Sequence, residues 1–177
     1  MLTQAQIMQA KNLMLSENFS LFELIKSASK PSLVEWPSAD IISKLKMHAE
    51  DILQPLRNKF GVININSGWR NAALNKAIGG ASNSIHMIYF NGKYLGTATD
   101  IQAAAERDLV KIMHYAKNNI PAIKRIIIYR DCEALGLNSP FLHIDRDIKV
   151  PAGDIVLMEK VNKNTYEIFD ESEFENY

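Results

Sequence analysis

Cysteine is all but absent: Cys132 is the only one in 177 residues. No disulfide can form within the chain, and a structural zinc site built on cysteines is excluded. Net charge is missing as well, since 20 Lys and Arg residues balance 20 Asp and Glu residues. Without a basic excess there is no general attraction to phosphate backbones or acidic lipid, so no nucleic-acid role is expected. No apolar run approaches the roughly eighteen residues of a membrane-spanning helix. The opening MLTQAQIMQAKNLMLSENFS lacks a basic stretch followed by an apolar core, so no secretory signal is expected. Repeats and low-complexity segments are lacking too.

What remains is ordinary globular composition, 47% hydrophobic and 23% charged, enough for one domain with a real core. Residues 1–15 read as a loose arm or short amphipathic helix. Ser20 with Glu23 three residues on is a capping box, opening a helix that ends before Pro31. Ser38 caps a longer helix over 39–59, whose Ile41, Leu45, Ile52 and Leu56 share one face. Pro55 predicts a kink in it. His48 lies beside that face and reads as a surface or boundary residue, as His114 does on the later helix over 103–118.

Gly61 ends the long helix, and 62–66 reads as a strand. Asn71–Ile78 is a short helix stopped by Gly79 and Gly80. Strands follow over 97–101, 124–129 and 141–145, and 154–160 with 165–169 flank Asn162-Lys163-Asn164 as a hairpin. The apolar run KRIIIY predicts a central strand. Helices come first and strands follow, so the class is α+β, with N-terminal helices packed on a small, mainly antiparallel sheet. Residues 16–150 form the main unit. The hairpin and acidic tail over 151–177 belong to the same domain.

The chemistry concentrates in Ser67–Asp100 and in Phe141–Asp145. His86, Asp100 and His143 are neutral imidazoles and a carboxylate on or near strands. Hydrolytic zinc sites use such sets, with three protein ligands and one open position. By residue type alone, two scattered histidines are more often plain boundary residues. The flanking residues add more. The chain carries Ser67-Gly68-Trp69-Arg70, Leu74-Asn75, Ile78-Gly79-Gly80, Asn83-Ser84-Ile85-His86, Gly96-Thr97-Ala98-Thr99-Asp100 and Phe141-Leu142-His143-Ile144-Asp145. Over about residues 16–146 these motifs, in this order, resemble the zinc D-alanyl-D-alanine carboxypeptidase-like family of the hedgehog/DD-peptidase fold, particularly its phage members.

The resemblance implies one zinc ion bound by His86, Asp100 and His143. It implies Arg70 beside the scissile carbonyl, as an oxyanion partner and substrate contact, and Ser84 as a substrate-binding or loop-fixing hydroxyl. It implies hydrolysis of stem peptides or cross-bridges in peptidoglycan, as a D,D-carboxypeptidase, a D,D-endopeptidase or an L,D-type enzyme. The protein would then act at the cell wall after lysis or delivery, or as part of a virion. The rival reading is a non-catalytic zinc-binding or structural module on the same fold, with a virion or phage protein as partner.

The chain departs from the family pattern twice. Thirteen residues separate His86 from Asp100, more than the family places there. The extra stretch holds Asn91-Gly92 between aromatic, β-prone runs, which predicts a hairpin over 88–95. Its ends would meet, keeping His86 and Asp100 together, and Tyr89 and Tyr94 would project from the cleft rim toward substrate or a partner. The second departure is the catalytic base. Pro140 and Tyr129-Arg130 stand where relatives carry acids. Asp145, two residues past His143 and on the same strand face, is the expected base or an orienting second partner. Asp131 and Glu133 are the runners-up. Arg70 or Lys93 would read a substrate carboxylate.

Overall fold

Thr3 and Gln6 exchange hydrogen bonds of 3.2 and 2.9 Å and open helix α1, Gln4–Asn12, so the N-terminal arm is a short helix. The computed structural model describes residues 1–102, 106–151, 153–162 and 164–176. Ser20 and Glu23 make the expected capping box at the start of α2, Leu21–Ile25. The Ser38 hydroxyl accepts from the Ile41 N–H and opens α3, Ala39–His48. A π-helical turn over Ala49–Leu53 then leads into α4, Gln54–Phe60. Pro55 brings no N–H and crowds the carbonyl four residues back. The widened turn sits where that clash would fall, so the helix continues through the proline.

The strands are β1 (Asn64–Ser67), β4 (Ala98–Gln102), β5 (Arg125–Tyr129), β6 (Phe141–Asp145), β7 (Val156–Lys160) and β8 (Tyr166–Ile168). They form one six-stranded sheet in the order β1-β4-β6-β5-β7-β8. Every pairing is antiparallel except β5 with β7. KRIIIY therefore supplies an interior strand. A separate pair, β2 (Tyr89–Phe90) and β3 (Lys93–Tyr94), forms the small hairpin. Between the strands lie α5 (Ala72–Ala77), α6 (Glu106–Asn119) and α7 (Cys132–Leu135). The expected start of the helix at Ala103, and Lys163 of the expected turn, lie outside the described residues. Among the described residues, no helix is long and apolar enough to cross a membrane.

Alternation divides the sheet into two faces. Ile101, Ile126, Ile128, Leu142, Ile144 and Leu157 belong to the core, with Leu21, Leu24, Leu45 and Ile52 from the first helices and Leu109, Ile112 and Met113 from α6. Each of these is nearly or fully buried. The opposite face carries Asp100, Asp145, His143, Ile127 and Tyr129. The register sets them side by side: Asp100 opposite His143, and His143 opposite Ile127. One sheet thus separates a dry core from a polar cleft.

His48 is part of that interior. It is 0% exposed, and its ring nitrogens lie 2.8 Å from the Thr97 hydroxyl and 3.0 Å from the Thr99 hydroxyl. The expectation of a surface histidine is corrected. The helical pattern puts position 48 at the edge of the apolar face, and two threonine hydroxyls from β4 and the residue before it supply the partners that make burial tolerable. Burial holds its pKa down to about 3, helped by nearby Arg146, so the ring is neutral.

Candidate metal centre

His86 sits on a single 3-10 turn, Ile85–Met87, reached through α5 and the loop after it. The Asn71 side chain accepts from the Leu74 N–H and caps α5. Gly79, at φ +73°, takes the left-handed conformation that ends it. Gly80 serves differently: a Cβ there would stand 2.1 Å from Asn75 Oδ1, so it is small because Asn75 packs on it. Gly68 is fixed in the same way, since a Cβ would lie 2.3 Å from the Leu24 carbonyl oxygen. That carbonyl accepts the Trp69 N–H at 2.7 Å, which ties the SGWR stretch to α2. The freed Gly68 carbonyl meets His86 Nδ1 at 2.7 Å.

This contact chooses the His86 tautomer. Nδ1 carries the proton and donates it to the carbonyl, leaving the Nε2 lone pair directed into the cleft. His86 Nε2 lies 3.3 Å from Asp100 Oδ1 and 3.2 Å from His143 Nδ1. His143 Nδ1 lies 2.9 Å from the same Asp100 oxygen. The three donor atoms form a compact triangle, and His86, Asp100 and His143 are the described group suited to hold a metal ion. Donors on a tetrahedral zinc stand about 3.3 Å apart, which is close to these separations. The residue types and the spacing both fit one zinc ion.

Electrostatics agree with that chemistry. Burial pushes the Asp100 carboxyl up, but neighbouring His86 and His143 outweigh it and hold the group well below the usual carboxylate range. Burial lowers the His86 pKa, only partly offset by Asp100. Burial also opposes charge on His143, but hydrogen bonds to Asp100 and Asp145 prevail and raise its pKa to about 9.

Arg70 lines the cleft beside the triangle. Its NH2 group donates to Asp100 Oδ2 at 3.0 Å and its Nε donates to the Ser67 hydroxyl at 2.9 Å. A bulge between Ile65 and Ser67 sets Ser67 opposite Asp100, which brings the hydroxyl to that place. Arg70 therefore occupies one Asp100 oxygen and leaves Oδ1 to the histidines. Ser84, half-buried, also lines the cleft.

Asp145 stands behind His143 and not in front of it. Its Oδ2 is 3.0 Å from His143 Nε2, and its Oδ1 accepts the Asp147 N–H at 3.0 Å. Arg125 donates to Oδ2 through Nε at 2.8 Å, with NH2 at 2.7 Å. The carboxylate is 0% exposed and does not line the cleft. Asp145, expected as the base or as an orienting second partner, has each oxygen engaged and is not among the residues that line the cleft. The geometry is that of a carboxylate orienting a ligand histidine, the role expected as its alternative. Asp131 caps α7 through the Ala134 N–H, and Glu133 lies on that helix; neither lines the cleft.

The hairpin over 88–95 forms as expected, with Tyr89 opposite Tyr94 and left-handed conformations at Asn91 and Gly92. It keeps His86 and Asp100 together. Its tyrosines, however, turn to α3: the Tyr89 hydroxyl donates to Asp40, and the Lys44 ammonium lies 5.1 Å from the Tyr94 ring centre. Neither tyrosine lines the cleft, and Lys93 does not line it either; Leu95 is the hairpin's contribution.

The cleft has a volume of about 590 Å³. Its far wall holds residues the sequence reading did not single out: Arg125, Tyr129, Asp147, Lys149, Met158 and Tyr166. Asp147 continues the alternation of His143 and Asp145, which was the available signal. Tyr166 had none, because its place depends on the pairing of β8 with β7.

A family model described as Peptidase M15 matches residues 17–134. The chain belongs to Peptidase M15. Members of that family are zinc-dependent metallopeptidases, which agrees with the His-Asp-His triangle. The Peptidase M15 match takes in Arg70, His86 and Asp100, while His143, Asp145 and the far wall from Phe141 onward lie beyond it. No curated protein matches the chain.

Proposed function

We propose that this Peptidase M15 member hydrolyses peptide bonds of bacterial peptidoglycan with one bound zinc ion, in the manner of a cell-wall carboxypeptidase or endolysin-type endopeptidase. The observation that carries the reading is the convergence of His86 Nε2, Asp100 Oδ1 and His143 Nδ1 within 3.3 Å at the cleft, with Arg70 alongside. Zinc in such a site supplies a Lewis acid and a water of lowered pKa.

The chain's own residues have distinct parts. His86 and His143 are both held from behind, by the Gly68 carbonyl and by Asp145, so each offers one defined nitrogen. Arg70 keeps Asp100 to a single free oxygen and has further N–H groups for a substrate oxygen that gains charge. Ser84, which lines the cleft, would hydrogen-bond the substrate backbone. Asp145 positions His143.

Peptide release from purified peptidoglycan tests the reading. Folded, zinc-loaded protein is expected to release peptides, chelator to stop release, and added zinc to restore it. A loaded, folded protein that releases nothing would sink the hydrolase reading. One observation favours the non-catalytic alternative, namely that the expected base is buried behind His143. The same assay separates the two.

A further inference from the structure

The cleft has a direction. On β5 and β6 the register makes three rows on the cleft face: Arg125 with Asp145, Ile127 with His143, and Tyr129 with Phe141. Same-face rows along a strand stand about 6.6 Å apart. The ligand histidine occupies the middle row. One neighbouring row is ionic and the other is aromatic.

The aromatic end continues beyond the family match. The Tyr129 and Phe141 rings stack with centres 4.3 Å apart. The Tyr166 hydroxyl from β8 lies 3.5 Å from that of Tyr129. Met158 of β7 stands opposite Ile127 and adds an apolar floor. The residues that line this end carry no charge, and the Lys160 ammonium, which does not line the cleft, lies 3.6 Å from the Tyr166 ring centre.

The ionic end looks neutral until its partners are followed. Arg125 is shared between Asp145 at 2.7 Å and Asp147 at 3.4 Å. Asp147 Oδ1 also accepts the Lys149 N–H at 2.9 Å, which pins Lys149 to this end. Arg70 is held by Asp100. Lys149 lines the cleft and is exposed, and its ammonium makes no hydrogen bond or ion pair among the described residues. It is the cleft cation without a carboxylate. Among the charged groups that line the cleft, Arg70, Arg125 and Lys149 face Asp100 and Asp147, so a bound divalent ion leaves the cleft positive and favours an anion.

We infer that the cleft is polarised along its strands, with Lys149 holding a carboxylate of the substrate and the Tyr129–Phe141–Tyr166 wall holding an uncharged residue on the other side of the metal. The inference deepens the peptidase reading and rests on it for the substrate to be a peptide. It makes Lys149 a specificity residue, and it makes the segment beyond the family match the part that selects.

The test is a binding titration of the zinc-loaded full chain with N-acetyl-D-alanyl-D-alanine and with its C-terminal amide. A charge-assisted contact makes the wild type prefer the acid roughly tenfold. Lys149→Met is expected to erase most of that preference and Lys149→Arg to keep it, both with unchanged zinc affinity. Tyr166→Leu is expected to weaken acid and amide alike. A wild type that binds both peptides equally, or neither, overturns the inference, as does Lys149→Met with the full preference. Cleavage is scored separately. A Lys149-dependent preference without cleavage of any wall peptide overturns the peptidase reading and leaves the polarised cleft standing. Cleavage without that preference does the reverse.

Discussion

The hairpin β2–β3 and the hairpin β7–β8 are both short, and both carry tyrosines. The first has Tyr89 and Tyr94, inserted between His86 and Asp100; the second has Tyr166, far along the chain from either. Yet the first turns its rings to α3, where Asp40 and Lys44 receive them, and the second extends the cleft face on which His143 lies. Nearness in sequence to a ligand therefore says little about nearness to the substrate. A hairpin outside the sheet packs wherever an acid or a lysine meets its rings. A hairpin that continues the sheet inherits the sheet's faces.

Removing the first hairpin tests this difference most severely. Replacing 88–95 with a glycine bridge deletes Ile88 and Leu95, which are 1% and 8% exposed. The expected loss is about 4 kcal/mol or more, from two buried aliphatic side chains, read as a lower denaturation midpoint. An unchanged midpoint, with weaker peptide binding instead, would return the hairpin to the cleft rim.

Asp145→Asn is the next largest. It removes the charge behind His143 and is expected to lower zinc affinity roughly 10–100-fold, measured by competition with a chromophoric chelator. Unchanged zinc affinity with activity lost would restore Asp145 as the base.

His48 gives a pH effect of intermediate size. Its pKa is about 3 in the fold against 6.5 ordinarily, so the unfolded chain takes up its proton first as pH falls. Its contribution to stability is complete above pH 6.5 and is lost between 6.5 and 3. The slope is about 1.4 kcal/mol per pH unit once below that upper value. Denaturation midpoints between roughly pH 6.5 and 5 should fall for the wild type and stay flatter for His48→Gln. Parallel curves would contradict the buried neutral ring.

The smallest effect sharpens the comparison most directly. Tyr166→Leu should raise KM for a wall peptide about threefold, near 0.6 kcal/mol, while Tyr89→Leu should leave KM alone and change stability by about 0.5 kcal/mol or less. Equal effects on KM would abolish the distinction between the hairpins.

Much of the arrangement was legible in the chain. Capping residues, apolar stripes and glycine stops mark the helices, and the Asn-Gly pair marks the first hairpin. Asp145 shares a face with His143, as parity requires. Parity does not say that Arg125, opposite Asp145 in the register, binds the carboxylate and holds it behind His143. Nor does helical spacing say that Thr97 and Thr99 will meet both nitrogens of His48. Tyr129 and Tyr166 come together only through the pairings β5–β7 and β7–β8. Contacts between distant segments decide these points, and local patterns do not carry them.

The pairing of Asp100 with His143 across β4 and β6 also bears on how the protein can fail. A strand that slips by one residue exchanges its two faces. On β6 that slip would drive His143 toward the core and leave Leu142 or Ile144 in its place. Misalignment and loss of the metal centre would then be one event, so zinc uptake by newly made chains would report that the strands had found their proper partners.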